Sequence, residues 1–218
     1  MRAWPAHRQR QQALQARRGM PLALCAAALL LLLAACGGSS GPKGIHPDTA
    51  LYSSIEPDRV MLMEVFRSYD NEETLRSQLT SLGVSPERRA LKKTPSGRYP
   101  PRDLTSLHVK NFRNQGELGS LTLELFNNRL MEADFRPEDP SAYAKTLHRT
   151  QPGLKRDATG IAELVAGNLR IFSNVDFAKS RVGGSLGTDA LVLWQDRRLT
   201  AQRDDWDERF GSIPEPAK

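Results

Sequence analysis

The search for chemistry starts with two windows of the form Gly-x-Ser-x-Gly, Gly183-Gly184-Ser185-Leu186-Gly187 and Gly37-Gly38-Ser39-Ser40-Gly41. In an α/β-hydrolase this pattern exposes a serine nucleophile on a turn from strand to helix, with a histidine further along the chain. Here the residues after Ser185 read as strand, the last histidine is His148, and the second window lies in a Gly/Ser-rich stretch. Both windows therefore read as flexible loop. Of the four histidines, His46, His108 and His148 lie beyond the N-terminal stretch and stand far apart, with no His-Glu-x-x-His pair for a metal. Asp204, Asp205, Asp207 and Glu208 lack the alternating oxygen ligands and central glycine of a calcium loop and read as a solvated face. No glycine-rich loop ends in Lys-Ser or Lys-Thr to cradle a phosphate. No catalytic residue, cofactor site or metal site is expected.

One residue does stand in a chemically specific setting. Arg2, Arg8, Arg10, Arg17 and Arg18 precede an apolar run from Pro21 to Leu33, with no acidic residue before it. This is the charged-then-apolar order of an export signal. The run is too short for comfortable membrane crossing, which takes roughly 20 apolar residues. It ends in Leu33-Ala34-Ala35-Cys36. That tetrad resembles the lipobox of bacterial lipoproteins. The resemblance implies a diacylglyceryl group on the Cys36 thiol, cleavage before it, and acylation of the new amino group. Several acyl chains anchor firmly, since each buried methylene contributes about 0.8 kcal/mol. Position two of the mature chain is Gly37 rather than Asp. By the family's sorting rule this points to the outer membrane rather than the inner.

Processing changes the composition. Taking the five signal arginines from the chain's 31 Lys+Arg leaves 26 against 25 Asp+Glu. The basic balance of the precursor therefore belongs to its signal, and nucleic acid is not an expected partner. Cys25 leaves with the signal and Cys36 carries lipid, so the mature domain has no thiol for a disulfide or a metal. Its core alone must hold it.

The elements that would position any site follow from pattern. Residues 1–35 form the signal and 36–48 a lipidated cysteine with a Gly/Ser/Pro-rich tether. Residues 49–209 form a soluble α+β domain, and 210–218 a tail. Val60–Phe66 reads as a strand, and Asp70 with Glu73 as the capping box of a helix over 71–82, closed by Gly83. Residues 84–103 read as loop. Thr105–Phe112 is a strand, and Leu121, Leu123 and Leu125 alternate with polar residues as half of a hairpin that turns at Asn127-Asn128 and returns through Leu130–Phe135. Asp139-Pro140 opens a second helix. Ile161–Val165 with Leu169–Phe172, and Ala190–Trp194 with Leu199–Arg203, read as two further hairpins.

The expected fold is thus an antiparallel sheet of hairpins with a few short helices on one face. The order suggests two tandem helix-plus-three-strand units, 60–137 and 138–206. That order on a lipoprotein resembles the BamE/SmpA family of outer-membrane lipoproteins and the tandem fold of the β-lactamase inhibitory protein. The likeness lies in element order over about residues 60–206 and carries no functional residue with it. Val192 and Trp194 fall on the opposite strand face from Leu191 and Leu193. Either both faces are covered, or an apolar patch of Trp194, Val192 and Phe126 is exposed for a partner. The expected function is a non-enzymatic accessory or scaffold that binds another envelope protein while held to the membrane through Cys36. A module binding lipid or glycan on a groove lined by Trp194 and Phe172 is the alternative. An enzyme with a scattered site is the third.

Overall fold

The alternation over residues 103–137 builds the centre of the molecule. A computed structural model describes residues 46–93, 99–176 and 189–211; Cys25, Cys36 and both Gly-x-Ser-x-Gly windows lie outside them. Three long strands, β4 (Asp103–Asn114), β5 (Glu117–Phe126) and β6 (Arg129–Pro137), form an antiparallel meander. Leu107, Leu123 and Ala133 stand in register on one face, as do Val109, Leu121 and Phe135. All six are buried. The β5–β6 turn is Asn127-Asn128 with φ of 51° and 57°, the left-handed pair a tight hairpin needs.

The flanking elements divide evenly around this centre. Strands β1 (Met61–Leu62) and β2 (Phe66–Arg67) make a small separate hairpin, followed by helix α1 (Glu72–Ser81) and edge strand β3 (Glu87–Lys93). Beyond β6 come α2 (Pro140–Thr150), β7 (Lys155–Arg156), β8 (Ala162–Ala166), β9 (Leu169–Ser173), β10 (Val192–Asp196) and α3 (Arg197–Phe210). The large sheet has the order β3-β4-β5-β6-β10-β9-β8-β7. Each half is one helix followed by a four-strand meander, and the last strands of the two halves pair antiparallel. The α+β architecture is as expected, with one strand more in each half.

Four local departures have physical reasons. The run Val60–Phe66 doubles back at Met63, whose φ is 62°, so that both Leu62 and Phe66 reach the core; a straight strand would have pointed apolar side chains both ways. Helix α1 is capped by Asn71, whose Oδ1 accepts from the Thr74 N–H at 2.9 Å, while Asp70 takes the Arg59 guanidinium at 3.0 Å. Its C-terminal end is a Schellman motif: Gly83 N–H donates to Thr80 O and Val84 N–H to Leu79 O, with Gly83 at φ 75°. Strand β3, expected as loop, carries Glu87, Arg88, Arg89, Lys92 and Lys93, the charged composition by which an edge strand resists pairing with a second molecule.

The largest departure is Leu199–Arg203, expected as a strand and found inside α3. Asp196 caps that helix, its Oδ1 accepting from the Arg198 N–H at 2.9 Å. Leu199 and Trp206, seven residues apart, share a helical face and are buried. β10 therefore pairs with β6 and β9 instead. Helices consequently occupy both faces. Leu75 and Leu79 of α1 with Tyr143 and Leu147 of α2 join the core on the Leu123 face. Leu199 and Trp206 join Phe126 and Met131 in a second cluster. Leu125 and Phe126 are consecutive, so the two clusters lie on opposite sides of β5.

A buried cation ties this second cluster to residues 52–54, near the start of the described chain. Arg129 is 3% exposed. Its Nη1 donates to Ser54 O and its Nη2 to Tyr52 O, each at 2.6 Å, and its Nε to Phe126 O at 3.3 Å. The guanidinium stacks 5.4 Å from the Phe126 ring centre and 5.9 Å from that of Tyr69. Asn127 adds donors to Tyr52 O and Pro101 O. On the far side Tyr52 OH donates to Asp205 at 2.5 Å, and Arg209 reaches the same hydroxyl and Asp48. Residues 46–56 form a strap pinned between the β5–β6 turn and α3.

Replacing Arg129 by Met roughly keeps the side-chain volume and removes the side-chain donors to Ser54 O and Phe126 O, leaving Tyr52 O with Asn127 alone. The expected loss is about 3 kcal/mol, read as a lower urea midpoint, with earlier protease cutting in residues 46–56. An unchanged midpoint would show that the strap does not depend on Arg129.

Candidate functional site on the sheet face

The polar residues that alternate with the core residues of β5, β6 and β10 gather on the opposite face. Glu124 and Glu132 are direct cross-strand partners, and Thr122 faces Asp134 one pair further along. Gln195 stands beside Glu132 on β10, its Nε2 donating to Glu132 Oε2 at 2.6 Å. Arg170 on β9 donates to Gln195 Oε1 at 3.2 Å and to Glu163 on β8 at 2.7 Å. A hydrogen-bonded row thus runs across β8, β9, β10 and β6 to the carboxyl pair. Arg136 bonds Asp134 Oδ2 at 3.1 Å and Asp189 at 2.9 Å. Asp134 Oδ1 and Gln202 Oε1 on α3 are buried with no hydrogen-bond partner.

Crowding like charges beside α3 changes their acidity. Burial pushes the Glu132 carboxyl up to about 7, with the facing Glu124 charge adding to the rise and the Gln195 bond opposing it. Burial also raises Glu124, against the nearby Arg203, and Asp134, against Arg136. Glu132 therefore titrates near neutral pH, beside α3. Among the described residues no group of three or more His, Cys, Asp or Glu is arranged to hold a metal ion. Nor is any described helix long and apolar enough to cross a membrane.

The residues expected to meet a partner are elsewhere. Val192 is fully buried and Trp194 is 3% exposed; both turn inward to pack with Ala133, Phe135 and Ile171. Trp194 also borders a small, half-open cavity of about 150 Å³ beside the β1–β2 hairpin. Phe126 is fully buried beneath α3 and Arg129. None of the three stands at the surface here, so the exposed apolar patch expected from the sequence is absent at these positions. Nor does Trp194 share a ligand groove with Phe172, whose ring lies 5.9 Å from the Arg170 guanidinium.

A different groove, of about 950 Å³, runs between α1 and strands β3 to β5. It is lined by polar side chains, among them Asn71, Thr80, Asp103 and Asn128. Glu72 lies within it, paired with Arg76 at 2.9 Å and Arg88 at 3.0 Å. Burial works against the Glu72 charge, but the two guanidiniums outweigh it and hold the carboxyl below its usual range.

The remaining sequence candidates are structural in use. His46 Nδ1 accepts from the Asp48 N–H and its ring sits edge-on to Phe210. His108 contacts Thr122 at 3.3 Å, and His148 pairs with Asp176 at 2.8 Å. The acidic run on α3 is more than a solvated face, since Asp205 holds Tyr52 and Asp207 holds Arg102 at 2.7 Å. The Glu124–Glu132–Asp134 row was readable only as outward charge. Its burial depends on α3, which the sequence pattern presents as a strand.

The acidity of Glu132 makes a signed prediction. Its folded value of about 7 lies above the ordinary 4.5, so its stabilising contribution is full below pH 4.5 and is lost as pH rises through 7. Glu132→Gln should flatten this slope and exceed the parent in stability at pH 8 by on the order of 2 kcal/mol. Urea midpoints at pH 5 and pH 8 measure it. Equal midpoints of the two proteins at pH 8 would contradict it.

Comparison with known proteins returns no matching family model, no matching curated protein and no matching solved structure.

Proposed function

We propose that this chain is a lipoprotein of a bacterial envelope, held to a membrane through lipid on Cys36, that acts as a non-enzymatic accessory or scaffold binding another envelope protein. The observation that carries this reading is Leu33-Ala34-Ala35-Cys36 at the end of an apolar run headed by arginines. Gly37 after the cysteine favours the outer membrane over the inner. The fold is consistent with work on a leash. The folded body takes hold of its leading chain at Asp48, Tyr52 and Ser54, within 18 residues of Cys36.

A second reading, a module for envelope glycan or lipid headgroups, draws on the polar groove beside α1. Its hydrogen-bonding lining suits a hydroxyl- or phosphate-rich ligand, although no aromatic platform stands among its lining residues.

Two measurements divide these readings. In the native host, Cys36→Ser should abolish incorporation of labelled fatty acid and leave the precursor uncleaved; labelled lipid on the variant would remove the anchor. Crosslinking in intact cells with a C-terminally tagged protein should recover one envelope protein in near-stoichiometric amount. Recovery of glycan or lipid without protein would replace the accessory reading with the second one.

A further inference from the structure

The strap that joins the tether to the body has an uncharged outward side with two exposed aliphatic residues. Residues 48–54 make a turn closed by bonds from Leu51 N–H to Asp48 O and from Ser54 N–H to Ala50 O. Tyr52 turns inward, is fully buried, and is fixed by its carbonyl to Arg129 and by its hydroxyl to Asp205. That orientation sends its neighbours out. Leu51 is 49% exposed and Ile55 is 62% exposed, with Ala50, Ser53 and Ser54 also at the surface. No outward residue from Ala50 to Ile55 is charged, in a chain of which 26% is Asp, Glu, Lys or Arg. Of the charges flanking this stretch, Asp48 pairs with Arg209 and Arg59 with Asp70, while half-buried Glu56 and exposed Asp58 follow Ile55.

Position decides what covers this patch. Only residues 37–45 separate Cys36 from His46. Nine residues span at most about 30 Å when fully extended, and less in any other conformation. A bilayer is about 40–45 Å thick with its headgroup zones, so a leash of that reach keeps the strap beside the surface that holds the lipid. A neutral patch with two aliphatic side chains suits the boundary between headgroups and acyl chains, where apolar side chains insert shallowly.

We infer that Leu51 and Ile55 form the membrane-apposed face of the body, inserting between lipid headgroups and fixing the orientation in which the sheet is presented. This rests on the anchor reading of Cys36. Because Arg129 and Asn127 lock the strap to the β5–β6 turn, the inserted face sets the tilt of the whole sheet.

Single cysteines can report on it, since processing removes Cys25 and lipid occupies Cys36. The full chain, matured in its host, would carry Leu51→Cys or Ile55→Cys, with Leu91→Cys and Val165→Cys as equally exposed controls. Each purified protein is weighed for lipid, coupled to a polarity-sensitive fluorophore, and reconstituted in phosphatidylcholine–phosphatidylglycerol vesicles containing a spin-labelled quencher lipid. Labels at 51 and 55 should shift to the blue and be quenched at least about twofold more than those at 91 and 165. Equal quenching at all four positions, or water-like emission at 51 and 55 in a lipidated protein, overturns this face and leaves the anchor standing. A mature protein without lipid on Cys36 overturns both. Should Leu51→Cys misfold, Ile55→Cys decides alone.

Discussion

Arg129 is the residue around which this body is arranged, because a guanidinium cannot shed its charge and must find acceptors wherever it is buried. Burial pulls its proton affinity down from the ordinary value, and among the described residues no carboxylate is paired with it to compensate. Its donors are met by carbonyls of Tyr52, Ser54 and Phe126, and its faces by Tyr69 and Phe126. Those carbonyls belong to the strap and to the strand end beside the Asn127-Asn128 turn. One cation therefore joins segments some 75 residues apart in sequence, and α3 seals the arrangement through Tyr52 and Trp206.

The rest of the body is organised about the β6–β10 seam. The two halves share one sheet, so neither closes a core alone: β10 inserts Val192 and Trp194 next to Ala133 and Phe135 of the first half. The halves are unequal. Strands β4 to β6 are 12, 10 and 9 residues long, whereas β8, β9 and β10 have five residues each. The first half supplies most of the buried leucines, and the second depends on Trp194 and the small hairpin packed over it. Residues 37–218 contain no cysteine, so burial at such a seam does the work that disulfides do in many small domains.

Electrostatics gives the two sheet faces different characters. The core face is aliphatic and aromatic. The other is split between a hydrophobic cluster under α3 and a carboxyl row whose acidity is weakened by burial. That row costs stability at alkaline pH. Its position beside α3 places a proton-sensitive contact next to the helix that also grips the strap.

Much of this was legible in the linear order, and the rest was not, for reasons that can be named. The hairpin of β5 and β6 follows from strict alternation and from two asparagines that tolerate positive φ. Helix α1 follows from leucines at helical spacing and a glycine at its end. These are local properties, complete within a dozen residues. The Leu33-Ala34-Ala35-Cys36 pattern that resembles a lipobox is likewise contiguous, and so the proposed anchor is a reading of the sequence alone. Tertiary structure decided what depends on distant neighbours. Whether Leu199–Arg203 pairs as strand or winds as helix turned on Asp196 as a cap and on the apolar cluster waiting at Phe126 and Met131. Whether Trp194 faced a partner or the core turned on which side of β10 was covered. Arg129 and Glu132 look like ordinary surface charges in sequence; burial by chain far away made one a clamp and the other a carboxyl that keeps its proton near pH 7, because desolvation belongs to the folded surroundings and not to the residue.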